Sequence, residues 1–593
     1  MARETQQGWV GVSESEPQRG VGRGAEKCLL ENQVEHRSFR LRAATQTAAN
    51  PSPGKRSDLP DVNAASISAA LDRLRGVLPA AGAEALIDRL RDGTASETDW
   101  AMSGEALLRL EPSLARNVLE TAVQRIPESA TLHYLLGNAL RMSARPVEAE
   151  AALRQAIHLD PAHANASLSL AHLLREQGRM RALADVMTAL WHHEARTLAS
   201  DQRTLGFLCE CERFVEADSL LAPILEAHPD DPSLRRRAGE IALVLGRFDE
   251  ARAHLRAAIE GDPGQASAWL RLAHTHRFVD ADDPDLQRLR SGLLRADLGI
   301  DVESSIGFAL GKALDDLGEY ADAARTLRQA NARWRAAHPW DADAWARFVD
   351  AQITAAALKP VPPSAETVPV FIVGLPRSGT TLAASLLARD PGVCARGELN
   401  WIAALAGRLG AQPSADMLAA AGNFYLRHLR QDDAPPRLIL DKNPLNFRHL
   451  SLIAAMLPQA KIIHCRRELR DTALSLWSQH FAHADMAWSY DFGDIAAFAG
   501  GHARLMRHWT QQLDLPIFEL EYEALVGDTE SSLARVRAFL GLDPDASSSQ
   551  AVAAEVFATA SVWQARQRVH TRSLERWRNY ADCLPELGDP RFD

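Results

Sequence analysis

The sequence contains no apolar run approaching the ~18–20 residues that a membrane helix needs, and its first residues carry no hydrophobic leader core. It also lacks a surplus of positive charge. Lys and Arg number 66 against 77 Asp and Glu, giving a formal charge of −11, so no global basic field argues for nucleic acid. Cysteine is scarce: six in 593 residues, at positions 28, 209, 211, 394, 465 and 583, too scattered for a disulfide framework. Cys209-Glu210-Cys211 is not C-x-x-C and reads as helix filler. G-x-S-x-G is missing, which removes the simplest serine-hydrolase reading. H-E-x-x-H is missing too, and His192-His193 has no carboxylate at ligand spacing, so no metal is expected. With 46% apolar and 24% charged residues, the chain reads as a soluble, cytoplasmic, multidomain protein with no membrane insertion and no nucleic-acid partner.

Residues 1–62 mix Gly, Ser, Pro, Gln and both charges without a sustained period. Such a segment buries too little apolar surface to offset its ordering entropy, and disorder is expected there. From about Val62 to Leu358 the pattern is helical and rich in Ala, Leu and Arg. Inside it lies a repeat. Pro127, Pro161, Pro229 and Pro263 are separated by 34, 68 and 34 residues, and Ala195 fills the vacant slot. Gly137, Ala171, Leu205, Gly239 and Ala273 keep the same period, as do Ala149, Leu183, Ala217 and Ala251. A small residue where two helices cross, and a proline that stops the second, are what a helix–turn–helix repeat requires. The pattern resembles the tetratricopeptide repeat, best met at 130–161 and 232–263, with a further unit out of register at 305–330.

Composition then shifts. The proline-rich connector 358–369 leads into strand-like runs at 368–374, 437–442, 460–465 and 515–522, separated by helical patterns. That alternation predicts an α/β domain with a largely parallel sheet.

The most informative segment is VPVFIVGLPRSGTTLAASLLA. A buried strand ends at Gly374, a loop follows, and Thr380-Thr381 opens a helix. Such a loop aims successive backbone N–H groups at one point, where the helix N-terminus also favours an anion. The spacing fits a P-loop, except that Thr380 stands where a nucleoside triphosphatase has lysine, which argues against a kinase or ATPase. The hexapeptide Pro376-Arg377-Ser378-Gly379-Thr380-Thr381 resembles the 5′-phosphosulfate loop of the sulfotransferases. The resemblance implies that this loop binds 3′-phosphoadenosine 5′-phosphosulfate (PAPS), with Arg377 on the bridging and sulfonyl oxygens.

Further segments fit the same family, close to the protein-tyrosine sulfotransferases and bacterial repeat-linked members. Arg467 and Ser475 have the eight-residue spacing of the family's 3′-phosphate element, with Arg466 one residue out as the alternative. Glu468-Leu469 stands where the family usually has Asp-Pro. Glu398, in Gly397-Glu398, falls on the family's catalytic base, and an acceptor hydroxyl attacking sulfur does need to lose a proton. Lys442, in DKNP, falls on a residue that would neutralise developing negative charge, or it serves only as a strand-end lysine. In FATASVWQARQRVHTRSLERWRNY, Ser561, Gln564 and Arg566 fall on a C-terminal signature, and cofactor contact is implied for Ser561 and Arg566. Arg568 replaces its usual proline. Tyr522 falls on the Y-E-x-L segment and reads either as packing beside the cofactor or as plain core.

The expected architecture is therefore an N-terminal all-α tetratricopeptide-repeat solenoid at 63–358, followed by an α/β P-loop-like sulfotransferase domain at 359–593. The expected activity is PAPS-dependent sulfonyl transfer to a hydroxyl, without a metal. The repeats point to a protein or peptide acceptor, with tyrosine favoured over a small phenol or sugar. Self-association stays open, and a repeat scaffold with a degenerate transferase domain is the rival from a binding class. Both phosphate elements follow the connector, so residues 359–593 alone are expected to hold the nucleotide.

Overall fold

The structure, a computed structural model, describes residues 64–76, 80–363, 367–543 and 571–592. The expected disorder at 1–62 and the cofactor contacts expected of Ser561 and Arg566 lie outside the described residues. No described helix is long and apolar enough to cross a membrane.

The helical half is built of antiparallel pairs. Ala130–Met142 packs on Pro146–Leu159, and three repeats later, in the same phase, Pro232–Leu245 packs on Phe248–Gly261. The repeat glycines mark the crossing points. A Cβ on Gly239 would come within 2.6 Å of Leu255 Cγ, and one on Gly137 within 2.6 Å of Leu153 Cγ. A larger residue at either glycine would force the facing leucine to shift. Three of the four repeat prolines, each placed after a second helix, meet a side chain of the next unit at their carbonyl, and His133 Nε2 lies 3.0 Å from Pro127 O. Arg235 Nε donates to Pro229 O at 2.8 Å and Trp269 Nε1 to Pro263 O at 2.9 Å. The out-of-register unit is a longer pair, Ile300–Leu317 and Tyr320–Ala337, followed by Ala342–Thr354, which packs on the helix Phe492–Gln512 of the α/β half.

The described residues of the C-terminal half hold five parallel strands: β1 (Val368–Gly374), β2 (Val393–Ala395), β3 (Leu438–Asp441), β4 (Lys461–Arg466) and β5 (Ile517–Glu521). Their order is β2-β3-β1-β4-β5. The three-residue strand β2 has no sequence signal of its own, because VCA is too short to show alternation. β1 is buried along its whole length, as a central parallel strand covered on both faces must be.

The last repeats and the sheet share one hydrophobic core, running from Ala242 through Val349 to Phe371 and Phe592. Trp345 stacks on Phe498 at 4.4 Å, and Phe308 stacks on His480 at 4.9 Å. The Asn331 amide donates to Trp477 O at 3.0 Å. The segment 571–592 threads between the two halves: Tyr580 is fully buried and donates its hydroxyl to Asp315 at 2.6 Å. Earlier repeats also touch the α/β half. Asp432 accepts from the backbone of Arg181 and Ala182, both at 2.9 Å, at the start of the helix Met180–His193.

Candidate functional site

The strand order explains why distant segments meet. From β1 the chain crosses toward β2 on one side, and from β4 it crosses toward β5 on the other. Adjacent strands whose connections diverge leave a crevice at their carboxyl ends, where open parallel sheets bind ligands. The 375–379 loop and the Arg467–Ser475 segment both lie there.

Gly374 has φ +149°, and a Cβ on it would sit 2.4 Å from the carbonyl oxygen of its β4 partner, Cys465. Only glycine allows β1 to end there and turn into the loop. Arg377 takes the left-handed φ of +72°, uncommon for a residue with a Cβ. Gly379, at φ +93°, leads into the helix Thr380–Leu387 and packs against the Tyr522 ring.

The side chains of the two phosphate elements interlock. Arg377 Nε donates to Ser475 Oγ at 3.0 Å. Arg467 Nη1 donates to Arg377 O at 3.1 Å, and its guanidinium lies 4.7 Å from the Tyr522 ring centroid. Tyr522 thus packs against both phosphate elements at once. Arg466 points elsewhere: it is half-exposed and paired with Glu519 at 3.0 Å and Glu521 at 3.5 Å. Glu468 caps the helix Leu469–Trp477 by accepting from Asp471 N at 2.7 Å, the task an aspartate performs at such a turn.

This corner is electropositive and incompletely satisfied. Burial, together with Arg467 and Arg576, lowers Arg377 to about 10. Arg576 is held by Asp315 of the helical half at 2.7 Å. The Ser378 hydroxyl and Arg467 Nε are buried without a hydrogen-bond partner among the described residues. Orphaned donors beside crowded guanidinium groups suit an anion with several acceptor oxygens. Sequence reasoning did not single out Arg576, although it lies in the quoted C-terminal segment; its charge-pairing partner is 261 positions away.

A second cluster forms at the ends of β2 and β3. Lys442, 1% exposed, pairs with Glu398, which is 49% exposed. Lys442 N also donates to Gly397 O at 2.9 Å, extending the β2–β3 ladder. Directly behind lies Asp441, fully buried, which accepts from Tyr425 Oη at 2.8 Å and Asn446 Nδ2 at 3.1 Å. Sequence reasoning missed this carboxylate, because nothing local shows that helix Ala415–Arg430 folds over it. A repeat turn reaches the same edge: Glu212 Oε1 lies 3.4 Å from where a Gly397 Cβ would stand.

Residues 369–546 match the Sulfotransferase family, and residues 143–182 and 208–274 match tetratricopeptide repeats. The chain joins tetratricopeptide repeats to a sulfotransferase-family domain. It is 26% identical over 404 residues to an uncharacterised protein of Aquifex aeolicus (strain VF5), a match covering 64% of this chain and 52% of that relative. This chain therefore spans about half that relative's length. The sulfotransferase domain of the Synechococcus PCC 7002 olefin synthase is similar at 20% identity and TM-score 0.28, over 40% of this chain and 98% of that one. YrrB, a tetratricopeptide-repeat protein with a peptide-binding site, aligns at 18% identity and TM-score 0.23, over 35% of this chain and 96% of that one.

Proposed function

We propose that this protein transfers a sulfonyl group from PAPS to an acceptor hydroxyl, with a protein tyrosine as the favoured acceptor. The observation that carries the reading is the Arg377–Ser475 and Arg467–Arg377 linkage, which joins both expected phosphate elements at one crevice. The backbone of 376–381, the Ser378 hydroxyl and Arg377 would hold the 5′-phosphosulfate; Arg467 and Ser475 would hold the 3′-phosphate. Bound there, the donor would supply an activated sulfonyl group. Glu398 is exposed enough to meet an acceptor, takes the proton of the incoming hydroxyl, and is oriented by the Lys442 ammonium. Arg377 and Lys442 offer charge to the oxygens on which negative charge develops. Positioning and charge suffice for such a transfer, so the proposal invokes no metal.

The Glu212 turn beside Gly397 supports delivery of an acceptor from the repeat face. Cys209, Cys211, Cys465 and Cys583 carry free thiols, in keeping with a reducing, cytoplasmic setting. Incubation of the full chain with radiolabelled PAPS, a tyrosine-peptide library and a simple phenol tests the reading. Label on peptides with release of adenosine 3′,5′-bisphosphate is expected. Label on the phenol alone would reassign the acceptor. Absence of both nucleotide binding and transfer would leave a repeat scaffold.

A further inference from the structure

Lys442 and Asn443, the two residues that follow β3, meet Gly397, Glu398 and Leu399 in the segment after β2. Lys442 N donates to Gly397 O at 2.9 Å. The Lys442 ammonium pairs with the Glu398 carboxylate. Asn443 Nδ2 donates to Leu399 O at 3.0 Å. Asp441 completes the set, its Oδ1 accepting from Leu399 N at 3.4 Å, a long contact. Its other oxygen takes the Tyr425 hydroxyl at 2.8 Å and Asn446 Nδ2 at 3.1 Å. Three donors from three segments therefore converge on one fully buried carboxylate. A core residue placed only for packing would not bring a charge there, because burying a carboxylate is costly unless its partners need an acceptor.

We propose that Asp441 is a positioning residue for Glu398. It grips the backbone just after Glu398, while Lys442 grips the carboxylate, so the proton acceptor is fixed from both ends. The inference rests on the sulfonyl-transfer reading above.

Burial lifts Asp441 to about 7, opposed by the Tyr425 hydroxyl, the Leu399 amide, the Asn446 amide and the Lys442 ammonium. Tyr425 is itself pushed well above its ordinary value by burial and by Asp441, so it stays a donor. A proton on Asp441 takes away acceptor capacity that these donors use. The grip on Leu399 therefore loosens as pH falls through this range.

Two variants of the full chain, Asp441→Asn and Tyr425→Phe, test the inference. Asp441→Asn is expected to speed hydrogen exchange of the 396–401 segment about tenfold and to lower kcat by at least about tenfold. Its affinity for adenosine 3′,5′-bisphosphate stays within about twofold of wild type. The contribution of Asp441 to the acidic limb of sulfonyl transfer from PAPS to 2-naphthol disappears in that variant, and the limb set by the Glu398 base remains. In Tyr425→Phe the Asp441 limb moves to higher pH, because a bond that favoured the carboxylate is gone. If Asp441→Asn does not fold, the direction of the Tyr425→Phe shift decides the matter. Wild-type exchange in Asp441→Asn, or an unmoved limb in Tyr425→Phe, overturns the positioning role. A wild-type protein that neither binds the bisphosphate nor transfers the sulfonyl group overturns the underlying reading instead, and the exchange result then tests the geometry by itself.

Discussion

Arg377 donates to the hydroxyl of Ser475 across 98 residues of sequence, so the residue expected on the sulfonyl end of the donor touches the residue expected on its 3′-phosphate. Ser475→Ala removes the acceptor of the Arg377 Nε proton. It is expected to weaken adenosine 3′,5′-bisphosphate binding by about tenfold, the size of a hydrogen bond to a charged group. Isothermal titration of the wild type and the variant checks it.

The two arginines at the end of β4 should separate cleanly. Arg467 is 7% exposed and bonded to the phosphate loop, whereas Arg466 is 51% exposed and paired with Glu519 and Glu521. Arg467→Ala should cost about 2 kcal/mol or more of bisphosphate affinity, and Arg466→Ala less than about 0.5 kcal/mol, as expected for a surface pair. Equal losses would return Arg466 to the site.

Glu398→Gln should reduce sulfonyl transfer at least about a hundredfold while leaving bisphosphate affinity within about twofold, because a base acts in the transition state. The measurement is single-turnover transfer beside equilibrium binding. Wild-type turnover would remove Glu398 from the chemistry.

The shared core predicts that the two halves do not separate. Trp345→Ala, which strips the indole from Phe498, should cost about 3 kcal/mol or more of stability, as large-to-small core changes do. Residues 359–593 produced alone should aggregate through the exposed face that Phe308, Trp334 and Trp345 now cover. A soluble fragment that binds the bisphosphate as well as the full chain would show that the helical half is dispensable for this site. Denaturant unfolding and light scattering decide both points.

Acid should weaken the same interface. His480 lies between Phe308 and Trp334 and is held neutral, lowered to about 4 chiefly by burial. A histidine depressed in the folded state contributes stability that is present above its unfolded value near 6.5 and is lost as pH falls toward about 4. His274 and His449, each lowered to about 3 chiefly by burial, act in the same direction. The urea midpoint should fall between pH 7 and pH 5, and His480→Gln should flatten that slope.

The sequence by itself determined the local parts. Glycine and proline at a 34-residue period specify helix crossings and stops, because each acts through its own backbone: Gly239 by lacking a Cβ, Pro263 by lacking an N–H. The strand–loop–helix at 368–387 is legible for the same reason, since Gly374 and Gly379 carry the turn wherever the chain goes next. Arg467, Ser475, Glu398 and Lys442 were legible as residue types at motif spacing. Their mutual contacts were not. Only the tertiary structure decided that β4 lies beside β1, which joins Arg377 to Ser475 and sends Arg466 to the opposite side of the strand end. Only it placed Asp441 under Tyr425 and Asp315 against Arg576. It also merged the last repeats with the sheet into one core. Such contacts depend on loop closure over tens to hundreds of residues and on burial from several elements at once. No local propensity or period encodes those quantities.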